Sequence, residues 1–214
     1  MKILVVAKEK QKHEIISHKI ADSIVGFHFV KNIQESQNYE DFDAYFLLTG
    51  NIAEIDFNRH SGKPVIVDSV VDTLKSMKLP SNFCRINAWP GFLQRPVYEV
   101  AATDEIKTAT LFRELGWNIL FVKDEPGLVS ARVISMIINE AYFAMGEDIS
   151  SIEGIDTAMK LGTNYPIGPF EWGARIGINN VYMLLEKLSV TDKRYLIAPA
   201  LEQEFKNFNA TLTS

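Results

Sequence analysis

A change of pattern at Asp124 constrains this chain more than any other feature. Before it, short apolar runs alternate with helical stretches; after it, only helical stretches follow. The runs predict strands over residues 3–7, 27–30, 44–48, 65–67, 85–88, 97–101 and 119–122, and helices over 10–23, 71–77 and 105–115, the last closed by Gly116. Strands alternating with helices imply an α/β fold with a mainly parallel sheet. The expected division is an α/β domain over 1–123 and an all-α domain over 124–214.

The second part predicts helices over 128–145, 152–161, 169–176, 181–188 and 198–208, with a frayed tail from Ala210. Ser150, followed three residues later by Glu153, has the form of a capping box, and Gly168-Pro169 sets proline at a first helical position. The 128–145 helix carries apolar residues on nearly every side, among them Val129, Val133, Ile134, Ile137, Ile138, Tyr142 and Phe143. Such a helix must be covered all round. Either its own neighbours wrap it, or a second copy of the chain does, and a homodimer is the expectation.

A formal charge of -5 and dispersed Lys and Arg give no reason to expect a nucleic-acid partner. The first apolar run is too short for a signal peptide and no later one spans a membrane, so the expected location is the cytoplasm. Cys84 is the single cysteine, which excludes an intramolecular disulfide and reads as a small buried side chain. His13-Glu14-Ile15-Ile16-Ser17-His18 imitates a zinc helix, but histidines five apart lie on different faces. His28 and His60 have no partner at ligand spacing, so no metal is expected. Ser23, Ser69 and Ser130 lack a nucleophile elbow, and Lys8, Lys10 and Lys12 read as a solvated helix start.

Four words occur in order from Asp124: Asp124-Glu125-Pro126-Gly127-Leu128-Val129, Asn139-Glu140-Ala141, Gly154-Ile155-Asp156-Thr157-Ala158-Met159-Lys160-Leu161-Gly162, and Tyr165-Pro166-Ile167-Gly168-Pro169-Phe170-Glu171. Together they resemble the helical domain of the 3-hydroxyacyl-CoA dehydrogenases. The resemblance implies a truncated Rossmann-like domain followed by a helical dimerisation domain. It also reaches upstream, where the segment from Asn87 to Val100 is similar to the strand pair carrying the family's general-base histidine and its orienting glutamate.

The departures from the family begin there. Glu99 stands at the glutamate position, but the histidine position twelve residues earlier is Asn87, which cannot take a proton near neutral pH. A positioned general base contributes a factor of roughly 100 to 10,000, so its loss raises the barrier by about 3 to 5 kcal/mol. The family's substrate-holding asparagine aligns with Ala131. Its Asn-Thr-Ser segment aligns with Asp68-Ser69-Val70, which makes Ser69 a substrate-binding candidate, at a spacing to Asn87 that is not the family's. An aspartate expected after Glu171 is replaced by Ala174.

The cofactor turn departs as well. No glycine occurs before Gly26, the turn after the first strand reads Ala7-Lys8-Glu9-Lys10, and Lys31-Asn32 stand where an acidic residue would hold the ribose. A crossover is missing between Val30 and Ala44. No cofactor is therefore expected, NAD following only where the family activity survives. The leading expectation is a protein without the family's NAD-dependent activity that binds an acyl-CoA-type ligand in the interdomain cleft, supported by the kept Glu99 and the intact words of the helical domain, with Glu99 and Asn87 at the family's catalytic positions. Trp89, Phe92 and Tyr98 either line a pocket there or pack. Two alternatives stand beside it: a working oxidoreductase on 3-hydroxyacyl-CoA, and a structural or regulatory subunit that pairs through the helical domain.

Overall fold

The computed structural model of the chain describes residues 1–17, 25–36, 42–49, 52–56, 60 and 62–213. They form two compact units, Met1–Leu128 and Val129–Ser214.

The first unit is built on seven strands, β1 (Lys2–Val6), β2 (Gly26–Val30), β3 (Ala44–Leu47), β4 (Val65–Asp68), β5 (Phe83–Ile86), β6 (Val97–Ala102) and β7 (Asn118–Phe121). They lie side by side in the order β2-β1-β3-β4-β5-β6-β7. All neighbours are parallel except β5 and β6. A parallel sheet covered on both faces needs apolar side chains at successive positions, and Ile3, Leu4, Val5 and Val6 of β1 are all fully buried. Ile3, Val5, Phe46, Ile66 and Ile86 pack on one face with Ile15 of α1 (Glu9–Ile16) and with Phe112 and Leu115 of α3 (Glu105–Leu115). Leu4, Val6, Leu47, Val65, Val67 and Phe83 form the core of the other face with Ile33 of α2 (Ile33–Ser36). Asp104 caps α3 by accepting the Lys107 N–H at 3.0 Å, and Gly116 closes it at φ 71°, as the sequence implied.

Two expectations for this unit are corrected. The helix expected over 71–77 is a run of turns. Thr73 and Ser76 exchange side-chain hydrogen bonds with each other's backbone N–H, and the Asp124 carboxylate accepts from the N–H groups of Leu74 and Lys75. Local polar side chains thus take the backbone groups a helix would use. The strand expected over 85–88 is shifted to Phe83–Ile86 because the Ala88 backbone is bonded to side chains instead. The helix expected over 10–23 is described to Ile16; His18 and Ser23 lie outside the described residues.

The second unit consists of α4 (Ser130–Gly146), α5 (Ile152–Gly162), α6 (Pro169–Ile176), α7 (Ile178–Ser189) and α8 (Pro199–Thr213). Proline opens α6 as expected, and α4 packs against α5, α6, α7 and α8. The cap of α5 is Ser151, not Ser150: its backbone is extended and its hydroxyl accepts the Gly154 N–H at 3.1 Å. Gly177, at φ 95°, breaks the chain between α6 and α7, so α7 starts three residues earlier than its apolar pattern suggests. The tail expected to fray from Ala210 continues α8 to Thr213.

Candidate functional site

The antiparallel register of β5 and β6 pairs Cys84 with Ala102, Arg85 with Ala101 and Ile86 with Val100. Asn87 follows directly on the last paired residue of β5, and Glu99 precedes Val100 on β6. Asn87 is only 6% exposed. Its Oδ1 accepts the Trp89 N–H at 3.0 Å, which turns Nδ2 the other way, and that buried Nδ2 has no acceptor among the described residues. A buried donor left unmade costs about 1 to 3 kcal/mol, so an incoming acceptor there is rewarded. Asn87 and Glu99 supply an amide donor and a carboxylate but no group able to cycle a proton in the way of a histidine.

Ser69 follows β4. Its hydroxyl donates to the Asp72 carbonyl at 2.9 Å and its own carbonyl accepts from Arg85 Nη1 at 2.9 Å, so its polar groups serve the loop. Val70, at the family's serine position, is buried and accepts the Gly127 N–H at 2.7 Å. Trp89, Phe92 and Tyr98 are all buried, with Tyr98 stacked on Trp117 at 5.1 Å and donating to the Leu93 carbonyl at 2.7 Å.

Arg85 escaped sequence reasoning. It is fully buried in β5, where Nε donates to Asp124 Oδ1 at 2.6 Å and Nη2 to the Glu125 carbonyl at 2.6 Å. Desolvation lowers its pKa, and the Asp124 carboxylate opposes that. The one signal was an arginine inside the otherwise apolar run Phe83-Cys84-Arg85-Ile86. This cation anchors the Asp124-Glu125-Pro126-Gly127 word to the strand ends.

The chain passes from β1 to β2 on one side and returns to β3 on the other, so the carboxyl ends of β1 and β3 flank the switch point where doubly wound sheets take nucleotides. The residues there do not fit a dinucleotide. The turn is Ala7-Lys8, each with a Cβ, and Gln11 reaches back over it: Oε1 accepts the Lys8 N–H at 3.0 Å, while Nε2 donates to the carbonyls of Leu48 at 3.0 Å and Ala88 at 3.3 Å. Asp68, at the end of β4, accepts the Ala88 N–H at 2.9 Å; burial pushes its carboxyl up to about 7, with that hydrogen bond and the Lys8 charge pulling the other way. After β2, Asn32 caps α2 through the Glu35 N–H and Glu35 accepts the Lys31 N–H, so the ribose-binding position is spent on a helix start.

The remaining candidates have structural roles. His13 Nδ1 lies 2.7 Å from the Glu9 carbonyl and Glu14 accepts the Gly91 N–H at 2.9 Å. Lys8 and Lys10 are exposed, and Lys12 lies over Phe29. His60 is buried edge-on to Tyr45, and His28 lies beside Phe42. Cys84 is buried in the core, which pushes its thiol up to about 12. No described helix is long and apolar enough to cross a membrane.

In the helical unit, Ala131 is fully buried in the first turn of α4 and has no polar group to offer a ligand. Asn139 donates to the Leu196 carbonyl at 2.8 Å and accepts the Ala198 N–H at 2.9 Å, tying the chain before α8 to α4. Asp156 accepts the N–H groups of Phe170 and Glu171 at 2.8 and 3.2 Å. Lys160 pairs with Glu171 at 2.7 Å, and Ala174 is exposed.

Residues 127–210 match the model of the 3-hydroxyacyl-CoA dehydrogenase, C-terminal domain. The 3-hydroxyadipyl-CoA dehydrogenase of Escherichia coli K12 is 39% identical over 99 residues, 45% of this chain and 21% of the relative. The 3-hydroxybutyryl-CoA dehydrogenase of Clostridioides difficile is 38% identical over 142 residues, 62% of this chain and 50% of the relative. The chain thus spans half or less of these curated relatives. The crystal structure of (S)-3-hydroxybutyryl-CoA dehydrogenase from Ralstonia eutropha superposes with a TM-score of 0.68 at 19% identity, over 94% of this chain and 92% of that one, a likeness of fold.

Proposed function

We propose that this chain, whose helical part matches the 3-hydroxyacyl-CoA dehydrogenase C-terminal domain, has kept the family's fold and given up NAD-dependent turnover, leaving a protein that holds an acyl-CoA-type ligand. The observation that carries this reading is the orphan Nδ2 of Asn87, buried at the end of β5. A thioester ligand with an oxygen at its third carbon would satisfy that donor, and a hydroxyl there would donate to Glu99. Asn87 holds such an oxygen but cannot remove its proton. The side chain of Gln11, drawn across the nucleotide crevice, supports the loss of the hydride acceptor. Calorimetric titration with acetoacetyl-CoA and acetyl-CoA tests the reading. Acetoacetyl-CoA is expected to bind more tightly, and Asn87→Ala to remove the difference; equal silence from both would overturn it.

A second reading, self-pairing through the helical unit, has its own support. The Ile152, Ile155 and Met159 face of α5 stays partly open, and Asp156 is the one side chain that helix buries. Beside it lies an apolar cavity of about 250 Å³ walled by Ile137, Ala141, Ala144, Ile155, Met159 and Pro169. An apolar stripe of this kind is stabilised by a matching surface, and a second copy of the chain presents one. Sedimentation of the wild type and of Met159→Glu is the test: a dimer that the substitution dissociates supports it, and a wild-type monomer at about 100 μM contradicts it.

A further inference from the structure

We propose that Gln11 takes the structural place of a dinucleotide in this sheet: its carboxamide seals the switch-point crevice and joins the carboxyl ends of β1, β3 and β5 in one hydrogen-bonded staple. All the polar capacity of the amide needed for this is engaged. Its two N–H groups reach the Leu48 carbonyl, one residue past β3, and the Ala88 carbonyl, two residues past β5. Its oxygen takes the Lys8 N–H, which a helix N-terminus would otherwise turn toward a phosphate. The staple spans four strands: β1 and β3 are neighbours, and β4 lies between β3 and β5. Asp68, on that intervening strand, completes the tie by accepting the Ala88 N–H.

The same groups oppose a nucleotide in two ways. A pyrophosphate would have to displace a side chain whose donors and acceptor are already satisfied, leaving two carbonyls and one N–H to be matched again. It would also meet the Glu9 carboxylate in the first turn of α1 with like charge. A glycine-rich turn needs its ligand to fill the gap it leaves, whereas a glutamine at the third helical position fills the gap itself. The sheet unit thus reaches its final form with no nucleotide. This inference is independent of the ligand assigned to Asn87 and Glu99, because it concerns other residues and another probe.

Three preparations of the full chain test it: wild type, Gln11→Ala and Gln11→Glu. Wild type is expected to give no saturable heat with NADH or NAD+ up to about 1 mM. In Gln11→Ala the Lys8 amide should exchange with solvent about tenfold faster or more, and the melting temperature should fall. Gln11→Glu keeps the acceptor for Lys8 but loses both donors, so the Lys8 amide should stay protected while the melting temperature still falls. Micromolar NADH binding by wild type would overturn the proposal, as would a Gln11→Glu protein as stable as wild type. Should a variant fail to fold, the wild-type titration decides alone.

Discussion

The Asp156 carboxylate accepts the backbone N–H of Phe170 at 2.8 Å, so one helix of the second unit caps the next. A Cβ placed on Gly168 would fall 2.2 Å from Asp156 Cγ, which is why this cap requires glycine at its entrance. A buried carboxylate at a helix N-terminus satisfies orphan N–H groups and meets the positive end of the helix dipole. Asp156→Ala is expected to destabilise the chain by about 1 to 2 kcal/mol, and Gly168→Ala by at least as much. Urea unfolding of both variants checks this. A Gly168→Ala protein of wild-type stability would mean that Asp156 does not occupy this position.

Arg85 and Asp124 make the second prediction. Arg85→Met removes the cation from the core and leaves Asp124 without its 2.6 Å partner, and Arg85→Ala adds a cavity. Asp124 is partly exposed and keeps the Leu74 and Lys75 N–H groups, so the loss should fall below the roughly 3 to 5 kcal/mol typical of breaking a fully buried pair. The double variant Arg85→Met with Asp124→Asn should recover part of that loss, because no unpaired charge remains. Unfolding free energies for wild type, Arg85→Met, Asp124→Asn and the double variant give the coupling directly.

Asp68 makes stability depend on pH with a definite sign. Its carboxyl, ordinarily at 3.8, is raised to about 7 in the folded chain. Between those values the folded state keeps a proton that the unfolded state has released, so this group's stabilising contribution is full below about 4 and is lost as pH rises toward 7. Melting temperatures measured across that window should show the decline, and Asp68→Asn should flatten it.

Cys84 should be silent to thiol reagents. Burial in the core and a thiol pushed up to about 12 leave no thiolate to react at pH 8. An aromatic disulfide reagent is expected to modify the native chain only on the timescale of its unfolding, and to react at once in guanidinium.

How far the sequence carried this fold depends on what kind of force sets each element. The strands β1, β3 and β4 follow from apolar runs that a covered sheet demands, and α3 and α6 from their closing Gly116 and opening Pro169. Residues 71–77 read as helix because helical spacing was present, yet Asp124, some fifty residues away, took the N–H groups of Leu74 and Lys75. Choosing Ser150 over its neighbour Ser151 as the α5 cap was a one-residue error of the kind that only backbone angles resolve.

The candidate site was legible in part for the same reason. The spacing of Asn87 and Glu99 was legible in the sequence, and the structure sets them at the end of β5 and within β6, two strands that pair antiparallel. The absence of glycine from the first turn was visible in the sequence, but not that Gln11 fills the gap, because its acceptors Leu48 and Ala88 lie 37 and 77 residues away. Arg85 carried only the oddity of a charge in an apolar strand. Asp156 stood within a recognised word, yet its role as the cap of α6 required the fold.

The central claim is that this chain keeps the family's fold without its redox chemistry, and NADH oxidation with acetoacetyl-CoA tests it most directly. The purified chain, at concentrations where acetoacetyl-CoA is seen to bind, should oxidise NADH no faster than the buffer. Turnover of about 1 per second or more, within the ordinary range of enzymes, would contradict the account and return the chain to the working dehydrogenases.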